Sequence, residues 1–206
     1  MLSYDLPEAR PVLERASARE TAARVALGVA AEALLEQVAG IRLVSHVVAV
    51  GAERATASCQ LTLADEDALC AASMRTLDAS DNARFEAAVD EAKHAGDTIG
   101  GVVEVIAYGV PVGLGTHVSA RERLDARLAG ALMSIQSVKG VEIGDGFAQA
   151  GMPGSAAHDE IVRGQDGHLT RRTNHAGGIE GGTSNGAPIV ARAGRSEEHT
   201  SELQSR

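Results

Sequence analysis

A proline-free stretch from Glu14 to Val38, dominated by Ala, Leu, Glu and Arg, constrains this fold most. That composition favours helix, and Gly40 stands where a left-handed residue can end it. Leu27, Ala31, Leu34 and Val38 fall on one stripe, with Leu35 beside it. Ala22, Val25, Val29 and Ala33 form a second stripe on roughly the opposite side. A helix apolar on two sides needs cover on more than one side, so the spacing predicts a buried helix. The following segments read as covering layers. Ile41–Val50 is rich in β-branched residues and predicts a strand closed by Gly51. Residues 52–78 are the least decided, with a short strand over Cys59–Leu63 as one reading. Ser80 or Asp81 can cap a helix to about His94, with Phe85, Ala88, Val89 and Ala92 on one face and Gly96 at its end.

Val102–Tyr108 reads as a strand, apolar on both faces apart from Glu104, and Arg121–Ser137 as a second strong helix. In that helix Leu124, Leu128, Ala131, Leu132 and Ile135 are in helical register. Val141–Ile143 predicts a short strand, and Asp166-Gly167 a tight hairpin turn. Strands alternating with helices predict a mixed α/β or α+β domain rather than a bundle.

Composition excludes several functions. A net charge of −9 over 206 residues argues against a general nucleic-acid binder, because phosphate would go unneutralised. Four aromatic residues (Tyr4, Phe85, Tyr108 and Phe147) provide no platform for stacking bases. No apolar run approaches the roughly 20 residues that span a bilayer, so no membrane association is expected. Cys59 and Cys70 form neither a disulfide framework nor a metal-ligand spacing, and read as two reduced thiols in a cytoplasmic protein. His158-Asp159-Glu160 is a poor metal site, since consecutive strand residues point to opposite faces. His46, His94, His117 and His175 stand isolated and read as packing or surface residues.

Three segments could carry chemistry. In the first, Arg15, Arg19 and the Ser17 hydroxyl lie within a turn of a helix N-terminus, a setting that favours a phosphate or carboxylate. The same charges also fit a solvated helix face with Glu20 and Arg24 paired at i,i+4. In the second, Gly177–Gly186 holds five glycines in ten residues, which suits either a backbone cradle for a ligand or an ordinary turn. It lacks both the lysine of a phosphate-binding loop and the strand–turn–helix frame of a dinucleotide fingerprint. In the third, Gln136 to Phe147 places polar groups at a helix C-terminus beside a glycine-flanked strand, as a ligand edge or as core packing plus turns.

Taken in order, these segments closely resemble the chorismate synthase family of the shikimate pathway. The resemblance rests on four stretches: Glu14–Gly28 (ERASARETAARVALG), Gly96–Gly101 (GDTIGG), Leu132–Gly144 (LMSIQSVKGVEIG) and Asn174–Gly186. It runs from about Tyr4 to Ala193, and residues 52–80 depart most from the pattern.

The resemblance implies a carbon–oxygen lyase that converts 5-enolpyruvylshikimate 3-phosphate to chorismate and phosphate. That reaction is a redox-neutral 1,4-anti elimination requiring reduced FMN. It implies a β-α-β sandwich of α+β class, with long central helices between antiparallel sheets, incomplete in this chain, and a homotetramer in the intact protein. Carried over by position, Arg15, Ala16 and Ser17 match one FMN contact, Gln136 and Ser137 a second, and Gly181 a third. Arg19 matches a contact to the anionic substrate. Flavin reduction by NADPH, intrinsic or through a separate reductase, is a further implication. No metal is implied.

The family's Gly-Glu-Ser-His-Gly motif, its second active-site histidine and its early arginines would precede this chain. Its Lys-Pro loop and Arg-Ser-Asp segment would follow Ala193. Arg195–Ser205 resembles a translated sequencing-library adapter, which divides the chain into a partial domain over 1–194 and a tail over 195–206. The expectation is therefore a fragment that is inactive alone, with its catalytic histidine and aspartate outside it and with open sheet edges. Phosphate release by the purified chain with reduced FMN would contradict this.

Overall fold

The computed structural model describes residues 7–8, 10–16, 20–56, 61–164 and 167–196. Its centre is a five-stranded, fully antiparallel sheet in the order β2-β1-β3-β9-β4. The strands are β1 (Arg42–Val50), β2 (Glu53–Arg54), β3 (Gly101–Tyr108), β4 (Val138–Ile143) and β9 (Ile189–Arg195). Two small antiparallel pairs lie outside it. One is β5 (Ile161–Arg163) with β6 (Leu169–Arg171), and the other is β7 (Ile179–Glu180) with β8 (Thr183–Ser184). The turn predicted at Asp166-Gly167 falls between β5 and β6, with Asp166 outside the described residues.

Strand alternation gives the sheet two apolar faces. On one, Leu43, Ala107, Ile143 and Ile189 meet Ile41, Val110 and Ile179 beneath α5 (Leu124–Met133), which contributes Leu124 and Leu128. On the other, Val44, Ile106 and Val190 meet Leu61, Leu63 and Leu69. Leu69 belongs to the short helix α3 (Glu66–Ala71). The α4 helix (Ala79–His94) packs against β1 and β2 and carries the fully buried Phe85. Its cap is Asp78, two residues before Ser80 and three before Asp81, because that carboxylate accepts from the Ser80 and Asp81 N–H groups. Asp81, freed from capping, is buried and accepts instead from Thr56 N–H and Oγ1.

Residues 61–65 run from extended chain into a 3₁₀ turn, not the strand suggested over Cys59–Leu63, whose first two positions lie outside the described residues. The second long helix is shorter than expected. It stops at Met133 because the following residues tighten into turns (Ile135 N–H to Leu132 O, Val138 N–H to Ile135 O) that lead into β4. β4 itself begins at Val138, three residues before the predicted start, because β9 is long enough to pair with it there.

The predicted Glu14–Val38 helix becomes two, α1 (Arg10–Ala16) and α2 (Glu20–Ala39). The expected burial of this helix on more than one side is not met within the chain: no residue of α2 is buried. Val25, Leu27, Val29, Leu34 and Val38 are each at least 60% exposed. Apolar side chains spread around a helix cannot all face one sheet, and the sheet's two faces are already occupied. Two further helices, α6 (Gly146–Ala150) and α7 (Gly154–Ala157), follow β4.

Candidate functional site

At the C-terminal end of α5 the chain turns sharply through Gln136 and Ser137. Ser137 has φ +65, a left-handed conformation uncommon outside glycine. This turn aims Gln136 at the corner between α1 and α2. Its Nε2 donates to the Arg15 carbonyl at 3.0 Å and to Glu20 Oε2 at 2.9 Å. Glu20 Oε2 also accepts from Arg24 Nε at 2.7 Å, and Arg24 reaches Ser134 Oγ at 2.8 Å. The Arg24 hydrogen bond, then that from Gln136, holds the Glu20 carboxyl below its ordinary range. The other amide atom, Gln136 Oε1, is buried and has no hydrogen-bond partner among the described residues.

The structure therefore joins two segments 121 residues apart that the sequence singled out separately. Arg15, Ala16, Gln136 and Ser137 meet at one corner, whereas Ser17 and Arg19 lie outside the described residues. One expectation is corrected. Arg15 occupies the last turn of α1, not a helix N-terminus, because the helix ends at Ala16 and restarts at Glu20. The i,i+4 pairing of Glu20 with Arg24 is present, and it forms part of the corner.

Gly181 is not at this corner. It turns the β7–β8 hairpin with φ +59, beside Gly182, whose carbonyl accepts from Leu124 N–H at the start of α5. The ten-residue α5, about 15 Å long, separates it from Gln136. The glycines of this segment divide by environment. A Cβ on Gly177 would come within 2.4 Å of Gly144 backbone, whereas one on Gly181 would meet nothing within 4 Å. Gly177 serves close packing, and Gly181 leaves open space.

Sequence reasoning missed a charged row across one sheet face. His46 on β1 stands opposite Glu104 on β3, Glu104 opposite Arg192 on β9, and Arg192 opposite Glu142 on β4. His46 Nε2 lies 2.8 Å from Glu104 Oε1. Arg192 donates to Glu104 Oε2 at 2.6 Å and to Glu142 Oε2 at 2.9 Å. Burial pushes the Glu104 carboxyl up, but the His46 hydrogen bond and the Arg192 charge outweigh it and hold it below the usual range. The one available signal was Glu104, the single charge in an apolar strand.

Glu104 and Arg192 form part of the floor of a cleft of about 910 Å³ walled by Leu61, Tyr108, Ile161, Leu169 and Asn174. Beside it, His175 Nδ1 lies 2.5 Å from Asp145 Oδ2. The buried Asp159 accepts from Thr173 Oγ1 and from the His175 and Ala176 N–H groups. His46 is thus a packed, paired residue, and His175 is paired rather than isolated. Among the described residues no cluster of His, Cys, Asp or Glu could hold a metal ion, and no helix is long and apolar enough to cross a membrane.

The chorismate synthase family profile matches residues 1–197. A chorismate synthase from Beutenbergia cavernae is 59% identical over 194 residues, covering 94% of this chain and 49% of the relative. One from Mycolicibacterium vanbaalenii is 54% identical, covering 94% of this chain and 48% of the relative. A crystal structure of chorismate synthase superposes with a TM-score of 0.86 at 40% identity, covering 94% of this chain and 60% of that one. The chain spans about half the length of the curated relatives it matches. An α+β sheet of this topology and ordered motifs across nearly the whole chain lead to one assignment: the chain belongs to the chorismate synthase family.

Proposed function

We propose that the protein containing this chain converts 5-enolpyruvylshikimate 3-phosphate to chorismate and phosphate with reduced FMN, and that this chain supplies part of the flavin site. The observation that carries the reading is the corner joining Arg15 to Gln136. A flavin mononucleotide requires a cation for its phosphate, polar partners for its ring and close backbone approach. The residues present fit those demands. Arg15 is exposed, Gln136 is half-buried beside it, and Gly181 has free space where a side chain would be.

When bound, reduced FMN supplies an electron-rich surface against which an allylic phosphate can depart. The chain's own residues bind and orient. Arg15 holds an anionic group, Gln136 fixes the end of α1 through the Arg15 carbonyl, and Ser137 shapes the turn between them. Arg19 is assigned to the substrate's anionic groups, and Ser17 to FMN, on resemblance alone. Assembly into a homotetramer accords with the uncovered apolar faces of α2. A cytoplasmic location accords with the family.

Anaerobic titration of the chain with reduced FMN tests the reading. Saturable binding that weakens at least tenfold in Arg15→Ala and in Gln136→Ala is expected. Binding insensitive to both changes would favour a site elsewhere, and no binding would favour an oligomerisation module.

A further inference from the structure

We propose that the cleft over β3 and β9 is a binding site for a small uncharged organic molecule with an apolar body and a carbonyl oxygen, anchored by Arg192. The site is independent of the flavin reading. It lies on the sheet face away from α5, where Ile106 and Val190 meet Leu61. Its volume of about 910 Å³ falls within the roughly 300–1,000 Å³ of small-molecule sites.

The apolar body follows from the walls. Leu61 and Ile106 on the lining are buried, whereas Val112, Ile161 and Leu169 are each more than half exposed. These three come from the loop after β3, from β5 and from β6. In the β5–β6 hairpin Ile161 stands opposite Arg171 and Leu169 opposite Arg163, so Ile161, Leu169 and Arg171 share one face. Single exposed apolar residues are ordinary. Three gathered on one cleft make a patch that an apolar ligand covers.

The carbonyl follows from which hydrogen-bonding groups are already used. Glu104 spends both carboxylate oxygens, on His46 and Arg192. Asn174 and Asn185 each accept a backbone N–H through Oδ1. Asp145 has one oxygen on His175. Arg192 is the reverse case. Its bonds to Glu104, Glu142 and the Gly144 carbonyl use Nε and Nη1, and among the described residues none uses Nη2. Nη2 is not closed off from solvent, so a guanidinium about three-quarters buried still offers N–H to the cleft it lines. A donor in that setting gains from an acceptor brought by a ligand.

Charge excludes the other classes. Arg171, Arg172 and Arg192 are paired with Glu180, with Glu160, and with Glu104 and Glu142. Asp145 adds a further carboxylate to the lining. Even with His46 and His175 protonated, the cations among these groups do not outnumber the carboxylates. An organic anion therefore meets no net positive charge, and an organic cation finds among the carboxylate and amide oxygens only one oxygen of Asp145. A neutral carbonyl satisfies Nη2 and adds no charge. The same balance disfavours the phosphate of a flavin mononucleotide here.

The test is an NMR titration of the isotope-labelled whole chain with three ligands of one shape: 2-acetylnaphthalene, 2-isopropenylnaphthalene, which lacks the oxygen, and 2-naphthoate, which carries a charge. The ketone should shift the Leu61, Ile161, Leu169 and Arg192 amides and bind about fivefold more tightly than either other ligand, the worth of one hydrogen bond. Arg192→Lys keeps a cation between Glu104 and Glu142 but removes Nη2. It should bring the ketone down to the hydrocarbon's affinity and leave the hydrocarbon unchanged. Leu169→Asp, at an exposed position that folding tolerates, should weaken the ketone and the hydrocarbon alike, with a thermal melt close to wild type. Should Arg192→Lys not fold, the wild-type ligand series and Leu169→Asp decide. Naphthoate binding tightest, a ketone with no advantage, shifts confined to α2, or no binding of any ligand would overturn the proposal and leave the flavin reading standing.

Discussion

Glu104 concentrates the energetics of the sheet in one side chain. It is buried and receives both His46 and Arg192, so removing it strands His46 and takes from Arg192 one of its two carboxylate partners. Glu104→Leu is expected to cost about 3 kcal/mol in urea unfolding at pH 7. The pH dependence follows from the direction of its shift. Because the folded carboxyl titrates below its ordinary value of 4.5, its contribution is fully present above that value and is lost as pH falls through the lower folded value. Wild-type stability should therefore fall more steeply as pH drops below 4.5 than that of Glu104→Leu. Parallel acid limbs would contradict the assignment. Glu104 was visible in the sequence as an isolated charge among apolar neighbours. Its partners were not, because His46 and Arg192 are brought opposite it by strand pairings that join residues 58 and 88 apart in the chain. Arg15 and Gln136 were each visible as candidates, but not their contact. Their anion-binding and ligand-edge readings came from local spacing, whereas the hydrogen bond between them is tertiary.

Among the elements, the turn from α5 into β4 and on to α6 controls the geometry of both the corner and the cleft. Gly144 sits in it with φ +58, and a Cβ there would lie 2.2 Å from the His175 carbonyl oxygen. Gly144→Ala should destabilise the chain by more than about 2 kcal/mol and drag His175 from Asp145, which a thermal melt and the histidine NMR shift would both report. Ser137 is the milder case. Its left-handed backbone costs about 1 kcal/mol, so Ser137→Gly should raise the melting temperature while shifting flavin affinity through a looser turn. The strands over 41–50 and 102–108 and the helix near 80–94 were legible because β-branched runs and a capped apolar period report local structure directly. The ends of α5 and the start of β4 were not. They are set by the tight turns at 132–138 and by the length of β9, neither of which leaves a periodic signal.

For the whole molecule, the largest departure from the sequence reading is α2. Its two apolar stripes were legible, but in this chain neither is covered. Apolar faces of that extent on a soluble surface mark an interaction surface. If α2 packs between copies, sedimentation of the wild-type chain should show species larger than a monomer, and Leu27→Glu with Val38→Glu should shift them to the monomer. A monomeric wild type would contradict the assembly proposed here. The chain otherwise divides its work by location, with a polar row and cleft on one sheet face and the α1–α2–α5 corner at the edge of the other. The proposed seat of the flavin is the α1–α2–α5 corner. A crystal structure of the chain grown with FMN tests this most directly. The predicted result is a phosphate on Arg15 with the flavin lying against the Arg15–Gln136 corner. Flavin seated instead in the cleft against Arg192 and Tyr108 would contradict it.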